Sequence, residues 1–176
     1  MKKLIIFVGI AGTGKTTIAE VLQERYNMKV LRTYTTRPRR PNESDVNHIF
    51  VADANTTKDG DKLLRLNLHG YEYWTTREML LDADIAIVDR TGATEIKALL
   101  RDRCIIVRLK AHLGDLINRI TKRNGLSESE ALGILTAEHN KYGNALLDYD
   151  LNLDTSELTI DEVIDRVMEE YESYEV

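Results

Sequence analysis

Apolar residues fall along this chain in short unbroken runs, separated by longer stretches in which they recur every three or four positions. The run Lys3-Leu-Ile-Ile-Phe-Val-Gly9 is continuous and closed by glycine, the pattern of a strand buried on both faces. From Lys15 to Arg25 the apolar positions Ile18, Ala19, Val21 and Leu22 take helical spacing. Met28 to Tyr34 reads as a second strand, Ala83 to Asp89 as a third, Cys104 to Leu109 as a fourth and Tyr149 to Leu153 as a fifth. Between them, Glu95 to Asp102 and Leu113 to Lys122 read as helices, and Ser127-Glu-Ser-Glu130 opens another with a capping box. Ile160 to Tyr171 is amphipathic, with Ile160, Val163, Ile164 and Val167 on one face.

Strands alternating with helices imply βαβ units: an α/β chain in three layers, whose parallel sheet has five core strands flanked by helices. Right-handed crossovers then bring every strand's C-terminal end to one edge, where ligands bind. The interval from Thr35 to Thr75 breaks the pattern. It is polar, basic at first, and holds both prolines, Pro38 and Pro41. It predicts a small lobe inserted above that edge. The expected organisation is one domain over 1–176, with a core of 1–34 and 76–176 and an insertion at about 35–75.

Composition narrows the function classes. With 43% hydrophobic and 30% charged residues among 176, the chain can bury a core and still carry a charged surface. A formal net charge of −5 gives no general attraction for nucleic acid or membrane, so phosphate affinity must come from a local pocket. The apolar run from Leu4 to Ile10 is too short for a bilayer and runs straight into a glycine-rich turn, which predicts a strand rather than a signal. Cys104, the single cysteine, sits in an apolar run and reads as a small buried hydrophobe, consistent with a reducing cytoplasm. The sequence predicts small-molecule partners, no nucleic acid and no membrane, and leaves the oligomeric state open.

The strongest chemical signal is Gly9-Ile-Ala11-Gly12-Thr13-Gly14-Lys15-Thr16-Thr17, a full G-x-x-x-x-G-K-[ST] match between a buried strand and a helix. Glycines let the backbone curl so that successive N–H groups face phosphate oxygens, and the helix N-terminus adds positive potential. In this pattern Lys15 reaches the β- and γ-phosphates of ATP, and the Thr16 hydroxyl ligates Mg²⁺. The fold class that follows is a P-loop NTPase. A solvated glycine turn is the bland alternative, and both spacing and context speak against it.

Thr33-Tyr-Thr-Thr-Arg37-Pro-Arg39-Arg40-Pro-Asn-Glu43 lies where the second predicted strand reaches the functional edge. Guanidinium forks suit phosphate oxygens bidentately, and phosphoryl transfer needs an acceptor clamped in line with its donor. A solvated loop paired with Glu43 and Asp45 would show the same charge.

Here the chain resembles the guanylate kinases. Thr-Thr-Arg-x-x-Arg-x-x-Glu, followed by an aromatic-containing strand, His48-Ile-Phe-Val51, is similar to their GMP-binding signature, and the resemblance implies that Arg37 and Arg40 bind the acceptor's phosphate. Gly70-Tyr-Glu-Tyr73-Trp74-Thr75 is similar to the family's Gly-Asn-Tyr-Tyr-Gly-[Ser/Thr] segment, making Tyr73 a phosphate contact and Thr75 a hydroxyl on the base. Thr33 falls at the base-contacting serine, and Asp89-Arg-Thr-Gly92 follows the family's Asp-x-x-Gly. The likeness runs from Lys3 to about Leu153 and is looser after Gly92. The chain departs from the pattern at three acceptor positions. His48 stands at a phosphate-binding tyrosine, Leu64 near the glutamate that reads the guanine edge, and Ile87 at the first of two strand aspartates. The phosphate clamp carries over; the base reader does not.

Asp89 ends a strand, where a carboxylate orients water on Mg²⁺, contacts the acceptor, or caps the following helix. Arg119, Lys122 and Arg123 share a helical face, and the resemblance makes Arg119 and Arg123 lid arginines over the transferred phosphoryl group, in a lid at about 113–140. A solvated stripe paired with Asp115 is the alternative, and a later lid arginine is replaced by Ile134. Asn152 and Asp154 read first as turn and cap residues near the adenine end. Trp74 and His69 fit either the acceptor pocket or packing, while His112 and His139 read as surface residues. No Cys/His cluster has zinc-site spacing.

Together these readings predict ATP·Mg²⁺-dependent phosphoryl transfer to a nucleoside monophosphate. The catalytic set is Lys15, Arg37, Arg119 and Arg123; the acceptor set is Thr33, Arg37, Arg40, His48, Tyr73, Thr75 and Asp89; Thr16 and Asp89 are the metal contacts. A P-loop kinase for another small acceptor, and a guanylate-kinase-like binding module without catalysis, are the alternatives.

Overall fold

The computed structural model describes residues 3–39, 47–68, 70–142 and 147–173. At its centre lies β1 (Leu4–Val8), paired in parallel on one side with β6 (Ile85–Ile87) and on the other with β7 (Cys104–Lys110). Every β1 side chain is buried, because both faces of this strand are covered. Ile5 and Phe7 point into the layer formed by α1 (Lys15–Tyr26) and α6 (Ile160–Ser173). Leu4, Ile6 and Val8 point the other way, against Ala93 and Ile96 of α3 (Arg90–Leu100). Each such side chain contributes about 1.5–3 kcal/mol by leaving water. Adding β8 (Leu151–Asp154), the parallel sheet runs β6-β1-β7-β8.

This sheet corrects the expected count of five core strands. Residues 28–34 do not form one strand; the segment is divided between two sheets. Its first half lies on the outer edge of β6, where Val30 bridges Ile85 in parallel and Leu31 N–H donates to Ile85 O at 2.6 Å. Met28 and Leu31 are buried there. Its second half, β2 (Thr33–Thr35), leaves for the inserted lobe, because Tyr34 has an aromatic partner waiting: it stacks on Trp74 with ring centroids 5.4 Å apart.

The lobe is itself a sheet, ordered β3-β2-β5-β4 from β3 (His48–Phe50), β2, β5 (Tyr71–Thr76) and β4 (Lys62–Leu68). A turn at Gly70, with φ +82°, joins β4 to β5. The pairing shifts between Leu63 and Leu66, and within that bulge Leu64 takes φ +51°, which turns its side chain out of the ladder's alternation. Trp74 forms the lobe's own core. It is buried, its Nε1 donates to Thr57 Oγ1 at 3.0 Å, and Lys62 Nζ lies 4.9 Å from its ring centroid. Of the two roles the sequence allowed, packing is the one Trp74 performs. His69 lies outside the described residues.

A short α2 (Arg77–Asp82) returns the chain to the core. Beyond β7, α4 (Leu113–Asn124) and α5 (Glu128–Tyr142) form a helical pair joined through Gly125 at φ +65°. Their shared cluster of Leu116, Ile120, Ala131 and Leu135 also packs against Ile10 and Ala11. The capping box at Ser127 forms as expected, with Ser127 N–H donating to Glu130 Oε2 at 2.8 Å, and Thr159 with Glu162 builds a second. Cys104 is buried, and burial pushes its thiol up from the ordinary value. Among the described residues, no helix is long and apolar enough to cross a membrane.

Candidate active site

The loop between β1 and α1 is shaped by close approach. A Cβ on Gly9 would stand 2.4 Å from the Leu109 carbonyl oxygen, so β1 and β7 meet there only because the residue is glycine. A Cβ on Gly12 would stand 3.3–3.4 Å from Leu116 and Ile120 of α4, whereas a Cβ on Gly14 would meet nothing within 4 Å. The loop therefore has a packed back and an open front.

Side chains satisfy the loop's carbonyl oxygens from behind. Thr13 Oγ1 donates to Ile10 O at 2.8 Å. Arg119 of α4 donates to Gly12 O at 3.1 Å and to Thr155 Oγ1 and Thr155 O at 2.8 Å each. Thr155 Oγ1 in turn reaches Thr13 O at 3.2 Å. Arg119 thus ties α4 and the loop after β8 to the phosphate loop, and it is not part of a solvated stripe paired with Asp115. Lys122 and Arg123 of the same helix are exposed. Arg119, Arg123 and Lys122 border one depression with Gly12, Gly14 and Thr17.

Lys15 lies inside this frame. Its Nζ donates to Gly9 O at 2.7 Å and Ile10 O at 2.9 Å. Burial lowers its pKa to about 8; Glu138 opposes that fall and Arg123 adds to it. Thr16 follows it on α1, half-buried at the mouth of the loop. On the α6 side, an apolar hollow of about 230 Å³ is walled by Thr17, Ile18, Arg119, Thr155 and Leu158. Asp154 works there as a turn residue, with Oδ1 accepting from Ser156 N–H at 3.0 Å.

Across the functional edge, the lobe and core enclose a second cavity, of about 290 Å³. Thr33, His48 and Tyr73 form its lobe wall, and Ile87, Val88, Asp89 and Glu95 its core wall. Arg37 Nε donates to Tyr73 Oη at 3.1 Å, and Thr33 Oγ1 lies 2.8 Å from His48 Nδ1. The Arg37 and Arg39 guanidiniums both sit over the Phe50 ring, at 5.3 and 4.9 Å. Arg40 lies outside the described residues. Thr75, expected to contact a base, is fully buried, and its hydroxyl donates to Arg32 O at 3.2 Å. Leu64 and Ile87 both face the cavity.

Asp89 caps α3, with Oδ1 accepting from Gly92 N–H at 2.8 Å. It also belongs to two cavities at once: the one just described, and another of about 380 Å³ that begins at Gly9 and Ile10. Capping and a place at the site are therefore compatible at this residue. The cavity that begins at Gly9 brings in side chains that sequence reasoning missed. Arg90, Arg108 and Lys110 line it, with the Arg108 guanidinium 5.4 Å from the Tyr149 ring centroid, and Glu138 enters it from α5. Arg108 hides inside a buried strand and Glu138 inside a helix, so neither carries a local motif.

Comparison with known proteins agrees with this architecture. A family model described as an AAA domain matches residues 5–133. The guanylate kinase of Thermotoga maritima is 29% identical over 157 residues, covering 83% of this chain and 75% of that protein. That of Thermobifida fusca is 30% identical over 133 residues, covering 69% of this chain and 68% of its own. The crystal structure of guanylate kinase from Anaplasma phagocytophilum superposes with a TM-score of 0.64 at 18% identity, over 98% of this chain and 85% of that one. At 30% identity to the Thermobifida fusca guanylate kinase over two thirds of both chains, the chain belongs to the guanylate kinase family of P-loop nucleoside monophosphate kinases.

Proposed function

We propose that this protein transfers the γ-phosphoryl group of ATP to the phosphate of a nucleoside monophosphate. The observation that carries the reading is the position of Asp89, on the shared wall between the cavity that starts at the phosphate loop and the cavity bounded by Thr33, His48 and Tyr73. The transferred group of a donor held on the phosphate loop and an acceptor in the second cavity meet at that wall.

The donor's phosphates would lie in front of Gly14, where the backbone leaves open space, with Lys15 on the β- and γ-oxygens and the base in the hollow beside Thr155 and Leu158. Mg²⁺ fits this donor set. It demands few protein ligands when phosphates and waters supply the rest, and the Thr16 hydroxyl, with Asp89 through water, suffices. When bound, the ion neutralises charge on the phosphate oxygens. Arg37, oriented by Tyr73, would hold the acceptor's phosphate, and Arg40 is assigned the same role on the resemblance. An oxygen of that phosphate attacks the γ-phosphorus, the bond to the β–γ bridging oxygen breaks, and ADP leaves. No protein nucleophile takes part, so the protein's contribution is alignment and charge stabilisation. Arg123 is the exposed lid cation assigned to the transferred group, and Arg119 acts by holding the loop.

The acceptor cavity differs from a guanine site at its far end. Guanine presents N–H donors that Leu64 and Ile87 cannot accept, and a missing partner in a hydrogen-bonding site costs several orders of magnitude in selectivity. Glu95 is a carboxylate on the same wall. We therefore assign the nucleoside monophosphate class and leave the base to experiment. A panel of ribo- and deoxynucleoside monophosphates, assayed with ATP and Mg²⁺ for ADP and nucleoside diphosphate, tests the reading. ADP formation with none of them, alongside phosphorylation of some other small acceptor, would overturn it.

A further inference from the structure

The phosphate loop of this protein holds an anion of its own. Ala11 N–H donates to Glu138 Oε2 at 2.7 Å. Among the described residues, the other side-chain hydrogen bonds to the loop's backbone go to carbonyl oxygens: Lys15 to Gly9 and Ile10, Thr13 to Ile10, Arg119 to Gly12, Thr155 to Thr13. Those contacts shape the loop through its carbonyl oxygens. Among the described side chains, Glu138 alone takes an amide hydrogen of the loop, the type of group such a loop presents to phosphate.

The surroundings match. Glu138 enters a cavity lined by Arg90, Arg108 and Lys110, and its charge acts on the Lys15 ammonium. Asp89, the other carboxylate there, has one oxygen committed to capping α3. Glu138 is half-buried on the second helix of the pair, and that pair is seated on the loop through Leu116, Ile120, Ala131 and Leu135 against Ile10 and Ala11. The carboxylate and the apolar contact thus act on the same two or three loop residues.

We propose that Glu138 is a built-in occupant of the phosphate site that sets the affinity for the donor nucleotide. Its carboxylate holds the Ala11 amide and balances Lys15 while no polyphosphate is bound, and an incoming nucleotide must displace it. The inference rests on the donor-site reading of the loop.

The test is calorimetric titration of the wild-type protein, Glu138→Ala and Glu138→Gln with ATP·Mg²⁺ and with ADP. A charge-assisted hydrogen bond to a buried amide is worth enough that its removal should lower the dissociation constant about tenfold in Glu138→Ala. Glu138→Gln keeps the side chain's size and one acceptor, so it should fall between the two. Thermal unfolding supplies an independent readout: nucleotide-free Glu138→Ala should melt below the wild type, and the difference should vanish when both are saturated with nucleotide. An unchanged or weaker affinity in two folded variants would overturn the inference while leaving the donor site standing. Absence of nucleotide binding in all three proteins would overturn both.

Discussion

The Arg37 Nε lies 3.1 Å from the phenolic oxygen of Tyr73, so a strand-end arginine and a hairpin tyrosine form one unit on the acceptor wall. The tyrosine fixes the guanidinium's direction before any ligand arrives, which lowers the ordering cost of binding. Replacing Arg37 by alanine should raise the acceptor KM about 10- to 100-fold, the range of a charge-assisted phosphate contact, with the ATP KM unchanged. Tyr73→Phe, which removes only the orienting hydroxyl, should cost less. Steady-state kinetics with each substrate varied in turn decides the matter; an unaltered acceptor KM in Arg37→Ala would remove the clamp.

Lys15 should matter for rate. Lys15→Met is expected to lower kcat about 10²- to 10³-fold, as loss of a group that stabilises developing charge does elsewhere. The same residue gives a stability signature. Its pKa is about 8 in the folded chain against an ordinary 10.5, so the folded state binds the proton less well than the unfolded one. Below pH 8 both states carry the charge and folding bears the full burial penalty. Between pH 8 and 10.5 that penalty fades. Denaturant unfolding of nucleotide-free wild type and Lys15→Met at several pH values in this window should therefore show the wild type gaining on the variant as pH rises. A constant difference would mean that Lys15 is not desolvated.

Two glycines of the loop should fail in opposite ways. Gly9→Ala forces a Cβ to within 2.4 Å of the Leu109 carbonyl, so the central sheet must shift, at a cost of about 1–3 kcal/mol or more. Gly14→Ala meets no atom but sits at φ +90° on the ligand side. It should cost only about 1–2 kcal/mol in stability while weakening nucleotide binding strongly. Thermal melts paired with calorimetry separate the two cases. Equal loss of stability in both would contradict the packed-back, open-front geometry.

Arg119 is expected to behave as a brace. It makes three hydrogen bonds to Gly12 and Thr155, and a lysine has no planar fork to reproduce them. Both Arg119→Ala and Arg119→Lys should lower stability by about 1.5–3 kcal/mol and raise the ATP KM. Recovery of both quantities by lysine would show that charge alone matters.

Elements with a local cause could be read directly. β1 is legible because five consecutive apolar residues admit no amphipathic arrangement, and the phosphate loop because its glycines and lysine carry their geometry within nine positions. The capping box at Ser127 is likewise a contact between residues three apart. Of the lobe's sheet only the strand at His48 was legible, and that through the family resemblance. β2 and β3 are three residues each, and β4 bears a bulge that spoils its alternation. None offers a period long enough to detect. Thr75 shows the limit of a motif: its place in the sequence suggests a ligand contact, while its burial turns the hydroxyl to Arg32 O.

The sequence alone determined the layered α/β plan and the phosphate loop, because each is specified by residues close together along the chain. Tertiary structure decided how the segment after α1 is shared between two sheets, that Asp89 serves two cavities, and that Arg108 and Glu138 line the cavity that begins at the loop. Those outcomes depend on which distant surfaces are apolar enough to close on one another, and no local spacing records that choice.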